Sequence, residues 1–172
     1  MIGILIQLGI SWALLHYLQK TNLNALGFTP LRVRLLQLVL GIGFAALLSY
    51  VHTASKNYLT GLEWRLNSEY TFMMFMGAVG WCLKSVLFEE LIFRGALCYI
   101  GFERVGAKIT MVFSSVCFGI YHWFTWGVLG DVKMMIISFV MTGLYGWTLA
   151  YAYYKTKSIL LGTGLHFGWN SI

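Results

Sequence analysis

The chain is 172 residues long, 59% hydrophobic and only 10% charged, with a net charge of +6 and a mean hydropathy of +0.73. Soluble domains carry about 25% charged residues, so this composition excludes a soluble globular protein and gives an integral membrane protein of one domain at most. The positive charge is spread over the segments between apolar runs, which fits membrane orientation and lipid contact and excludes a nucleic-acid surface. Cys82, Cys98 and Cys117 all lie inside apolar runs and read as small buried hydrophobes, not as a disulfide or metal framework.

A membrane-crossing helix needs about 20 largely apolar residues. Ile2 to Leu18 is the first such run. It has no basic n-region and no small-residue cleavage site, so it reads as a retained span, not a removable signal peptide. Thr29-Pro30 is a helix start signal, Thr as the cap and Pro at the first position, and the second span runs from about Leu31 to Val51. A polar loop, His52 to Tyr70, separates it from the third span, which starts near Thr71, carries Glu89, Glu90 and Arg94, and extends toward Ile100. Phe102 to Lys108 is a charged turn with Gly106 as the breaker. The fourth span, about Ile109 to Trp126, carries His122. Asp131 caps the fifth, about Val132 to Tyr154, and Ser158 caps a last helix bearing His166 and Asn170. Gly164-x-x-x-Gly168 on that helix permits close backbone approach to a neighbour.

The expected fold is therefore all-α, a polytopic transmembrane bundle of about six helices, without β-sheet because an open sheet edge cannot be satisfied in lipid. Residues 1–70 form N-terminal spans and loops, and residues 71–172 form the core that carries the chemistry. With loops numbered by the span they follow, loops one, three and five hold Lys20, Arg32, Arg34, Arg94, Arg104, Lys108, Lys155 and Lys157. Loops two and four hold only Lys56, Arg65 and Lys133. The positive-inside rule then places the odd loops in the cytoplasm and the N-terminus outside.

Two adjacent carboxylates at the end of an apolar run are costly, and an ionisable group at membrane depth is by default a functional candidate that needs a partner. On a helix Glu90 and Arg94 are i and i+4 and can pair, while Glu89 is rotated away by about 100° and left free for chemistry. Counting residues along the helical hairpins puts Glu89, His122 and His166 at comparable depth. They can share one membrane-embedded cavity opening toward the cytoplasm. Phe118 and His122, and likewise His166 and Asn170, are i and i+4 pairs, so Phe118 walls the cavity beside an imidazole and Asn170 points the same way as His166. A carboxylate beside an imidazole can activate water, and a His and an Asn can hold an oxyanion. These are the parts needed for amide hydrolysis.

Glu89-Glu90-x-x-x-Arg94, Phe118-x-x-x-His122 and His166-x-x-x-Asn170, in that order and in membrane helices, resemble the three motifs of the CPBP family of CAAX proteases and bacteriocin-processing, Abi-type enzymes. The resemblance covers about Thr71 to Ile172. It implies an intramembrane endopeptidase in which Glu89 is the general base acting with His122 on water, His166 and Asn170 hold the oxyanion, and Glu90 with Arg94 supports the site. It implies a membrane-bound protein or peptide substrate, prenylated in one branch of the family, and the short chain points to a bacterial cell membrane. The family core extends beyond its last motif, so a chain cut short at its C-terminus is expected. The favoured mechanism is metal-free. The alternative is Zn²⁺ held by His122, His166 and Glu89 with an open position for water, although neither histidine pair has H-E-x-x-H spacing. Two further readings compete: a non-catalytic scaffold or bacteriocin self-immunity protein of the same family, and a haem- or proton-carrying protein using His122 and His166.

Overall fold

A computed structural model of the protein, describing residues 2–65 and 67–172, is all-helical. Its α-helices are α1 (Ile2–Gln19), α2 (Leu31–Thr60), α3 (Phe72–Arg94), α4 (Ala96–Arg104), α5 (Ala107–Thr125), α6 (Val132–Thr156) and α7 (Ile159–Asn170). A 3₁₀ turn, Leu23–Leu26, lies between α1 and α2. Among the described residues, four stretches are long and apolar enough to cross a membrane: Ile2–Gln19, Leu23–Thr60, Phe72–Arg104 and Val132–Thr156. Among the described residues there is one more helix than expected, because the third span is two helices. Gly95 breaks it with backbone angles (φ −75°, ψ −140°) at which an added Cβ would overlap the Leu91 carbonyl oxygen.

Side-chain caps fix the starts of α3, α6 and α7. The side chains of Thr71, Asp131 and Ser158 accept from the backbone N–H of Met74, Met134 and Leu160 at 3.2, 3.1 and 3.2 Å. Thr29 does not cap α2. Pro30 occupies that position without a side-chain bond, and the Thr29 carbonyl accepts from Arg34 Nε at 3.0 Å instead.

One end of the bundle is tied together by polar contacts to backbone carbonyls. Ser158 Oγ donates to the Gly27 carbonyl at 2.6 Å, Arg34 Nη1 to the Thr156 carbonyl at 2.8 Å, and Arg104 Nη2 to the Leu18 carbonyl at 2.9 Å. Gly27 sits at φ +80° with its missing Cβ against the Lys157–Ser158 backbone, so only glycine fits the turn. Leu15, Leu26, Leu91, Tyr153 and Ile159 form the apolar core beneath these contacts. The linker between the first two spans, polar by composition, is thereby packed into the bundle, with Leu26 fully buried.

Helices α2 and α7 run in the same direction and touch backbone to backbone. Gly164 faces the Leu38 backbone and Gly168 the Ile42 backbone, each too close for a Cβ, and Gly41 packs in return on Leu161 and Leu165. Without a hydrophobic driving force between helices in lipid, such close van der Waals contact is what holds them together. The opposite face of α2, including Leu36, Val39, Leu40, Phe44 and Leu47, is exposed and is the surface offered to acyl chains. Gly164→Ala is expected to lower stability by about 1–3 kcal/mol through overpacking. Gly43→Ala, which meets nothing within 4 Å, is expected to leave it unchanged. Thermal unfolding of both variants in detergent checks this.

Candidate active site

The last turns of α3 carry the buried charges. Arg94 Nη1 donates to Glu90 Oε1 at 3.3 Å, i to i+4 on one face. Its Nη2 donates to the Gly146 carbonyl of α6 at 3.1 Å. The guanidinium carbon lies 4.2 Å from the centroid of the Phe118 ring, a cation–π contact strengthened by desolvation. Glu90 and Arg94 are both fully buried. Gly146 makes room for them, since a Cβ there would stand 3.2 Å from Arg94 Nη2 and 3.0 Å from the Phe118 ring.

His166, brought by α7, reaches the same cluster. Its Nδ1 is 2.9 Å from Glu90 Oε1, and its Nε2 is 3.7 Å from Glu89 Oε2. A carboxylate beside Arg94 is an acceptor, so His166 donates through Nδ1–H and turns Nε2 toward Glu89. Glu89 accepts from Ser85 Oγ at 3.5 Å through Oε1, while its Oε2 is buried and has no hydrogen-bond partner. On α5, His122 Nδ1 lies 2.7 Å from the Phe118 carbonyl. A carbonyl only accepts, so Nδ1 carries the proton and Nε2 is the free ring nitrogen.

Glu89, Phe118, His122, His166 and Asn170 all line one cavity of about 1040 Å³, together with Ser85, Tyr121 and Tyr145. Glu90 and Arg94 lie beneath its surface. The four candidate catalytic residues are thus brought to one space, and the expected Glu90–Arg94 pair forms. The arrangement differs from expectation at one point: the imidazole beside Glu89 is that of His166, and among the described residues no Glu89–His122 pair lies within ion-pair distance. Asn170 is exposed, at the far end of α7. Sequence reading missed Ser85, Tyr121 and Tyr145. Ser85 is i and i+4 with Glu89, a signal available in the sequence, whereas the two tyrosines reach the cavity only through the packing of α5 and α6.

Zinc binding would require Glu89, His122 and His166 to converge on one point. Both histidines bond through Nδ1, to Glu90 and to the Phe118 carbonyl, which leaves each Nε2 without a hydrogen bond; as placed, no three His, Cys, Asp or Glu side chains among the described residues come close enough to hold a metal ion.

These features define a class: a helical membrane protein with carboxylates, imidazoles and an arginine gathered at the floor of an intramembrane cavity. Residues 70–172, more than half of the chain, match the family model described as type II CAAX prenyl endopeptidase Rce1-like, and the chain belongs to that family. No curated protein and no solved structure showed significant similarity to it. Membership supports an intramembrane protease function in general, and a membrane-associated protein as the substrate.

The cavity lining reaches Thr125 and Trp126 at the end of α5 and Asn170 at the end of α7, so it extends toward the end of the bundle that carries the loop between α5 and α6. That end holds the minority of the basic residues. The charge bias predicts that Leu129→Cys, in a background with the native cysteines replaced by alanine, is labelled by an impermeant maleimide on intact cells. Labelling only after permeabilisation would place that end in the cytoplasm. Arg94→Ala strands a buried carboxylate, at about 3–5 kcal/mol, and should lower folded yield in detergent as well as any activity.

Proposed function

We propose that the protein hydrolyses a peptide bond of a membrane-associated protein or peptide, with water activated by Glu89 and without a metal. The observation that carries this reading is Glu89 itself, a carboxylate on the cavity wall with one buried, unpartnered oxygen facing the Nε2 of His166 at 3.7 Å. An unpaired acceptor in low dielectric is costly, and here it sits where a water molecule and a scissile carbonyl could be held together.

In this mechanism Glu89 takes a proton from water as the oxygen adds to the carbonyl carbon, and later delivers that proton to the leaving amine. His122 presents its free Nε2 to the same water from another wall of the cavity. His166, donating to Glu90 through Nδ1, offers Nε2–H to the developing oxyanion, and the Asn170 amide is the second donor. The Arg94 guanidinium lies opposite the Glu90 carboxylate at 3.3 Å, so that buried charge is compensated within α3. The apolar rings of Trp81, Trp126 and Trp169 around the cavity suit an apolar peptide. A prenylated CAAX terminus is one such substrate class and a bacterial membrane peptide precursor another.

A non-catalytic scaffold or self-immunity protein would retain its biological effect in Glu89→Ala, and the protease reading requires that effect to be lost. A bis-histidine haem site would use His122 and His166 but gives no part to Glu89, Glu90 or Asn170, and a Soret band in the purified protein would be its mark.

Glu89→Gln keeps shape but cannot accept a proton, and is expected to cost about 10²–10⁴ in rate with unchanged thermal stability. His122→Ala should lose a comparable amount, and Asn170→Ala about 10²–10³. Turnover of a cleavable peptide by purified protein, with and without a chelator, checks these values. Wild-type cleavage by Glu89→Gln would end the assignment, and chelator-sensitive activity restored by zinc would overturn the metal-free mechanism.

A further inference from the structure

Two hydroxyl groups from two different helices converge on the turn of α7 that carries His166 and Asn170. Tyr145 of α6 donates its O–H to the Leu165 carbonyl at 2.9 Å. Ser49 of α2, itself buried, donates to the Trp169 carbonyl at 3.0 Å. Each acceptor is the carbonyl of the peptide unit that leads directly into one of the two residues, Leu165 into His166 and Trp169 into Asn170. The Trp169 carbonyl lies in the last turn of the helix, where carbonyls have no helical N–H to accept from. The rings add to the hold: Tyr145 stands edge-on to His166 with centroids 5.8 Å apart and packs against Trp169 at 6.0 Å. On the α2 side, Gly164 and Gly168 let the two backbones meet, which brings Ser49 within reach.

We infer that Ser49 and Tyr145 are positioning residues that clamp the His166–Asn170 turn of α7 from two sides, making α2, outside the residues matched by the family model, a working part of the site. The inference rests on the reading above that His166 and Asn170 serve hydrolysis. A rotation of α7 by a fraction of a turn would move Nε2 of His166 away from Glu89 and the Asn170 amide away from the cavity. Misplacement on the scale of 1 Å can cost about 100-fold in rate. Neither hydroxyl touches the reacting atoms in this arrangement, so each acts through the helix it holds.

The variants Ser49→Ala, Ser49→Thr, Tyr145→Phe and the double Ser49→Ala/Tyr145→Phe test this, with two measurements on the intact protein in detergent. Hydrogen–deuterium exchange of peptides covering residues 159–172 reads the clamp without any substrate. Faster exchange is expected in both single hydroxyl-deleted variants and most in the double, with Ser49→Thr close to wild type. Steady-state cleavage of a peptide reads its consequence. Each deletion should lower kcat roughly tenfold with KM within about twofold, and Ser49→Thr should restore it. Unchanged exchange in both deletions overturns the clamp whatever the activity. Faster exchange with wild-type kcat overturns its positioning role. An inactive wild type, or an active Glu89→Gln, instead overturns the reading of the site, and exchange alone then decides whether α2 and α6 hold this turn.

Discussion

Everything in the site depends on one buried ionic network, Arg94–Glu90–His166. A lone carboxylate or guanidinium in a low-dielectric interior costs several kcal/mol, and neither can be left unpaired at this depth. Glu90 and Arg94 satisfy each other within α3, but Arg94 still needs the Gly146 carbonyl of α6 and the face of Phe118 from α5, while Glu90 needs Nδ1 of His166 from α7. Four helices are therefore tied to one charge pair. The geometry of Glu89 and His166 is a by-product of that satisfaction, since the imidazole held by Glu90 has only one direction left for its second nitrogen.

Small residues make the network possible. At Gly146 the absence of a side chain lets the guanidinium reach a backbone carbonyl, and at Gly162 an added Cβ would stand 3.3 Å from Glu90 Oε2. At Gly164 and Gly168 it lets α7 lie directly on α2. In lipid, where there is no apolar penalty to drive helices together, such contacts and the polar bonds across them supply the cohesion. Many large apolar side chains are turned outward, so the exterior is apolar, while the interior carries buried Ser, Thr, His and charge beside its apolar core.

The two ends of the bundle are built differently. At one, the 3₁₀ turn, the α6–α7 corner and two arginines interlock through backbone carbonyls around a small apolar core. At the other, α5 and α7 end in the cavity lining, and the first turns of α3 stand exposed. The rigid end fixes the depth at which the charges sit, and the cavity leaves a path by which a substrate can reach them.

Much of this was legible in the sequence. Low charge and long apolar runs fixed a helical membrane protein, because lipid admits no open sheet. The i, i+4 spacing of Glu90 and Arg94 fixed their pairing, because helical geometry alone brings those positions together. The caps at Asp131 and Ser158 could be read directly, being local hydrogen bonds. The cavity, too, was anticipated from residue counts along two hairpins. What spacing could not supply was which imidazole meets Glu89. The depths of His122 and His166 are similar, and only the rotation of α7, set by the Gly164 and Gly168 contacts with α2, turns His166 toward the carboxylates. The break at Gly95, the failure of Thr29 to cap, and the arrival of Tyr145 and Ser49 at α7 likewise depend on partners tens of residues away. Local bonding was written in the order of residues, whereas the facing of one helix toward another was decided by close packing of the whole bundle.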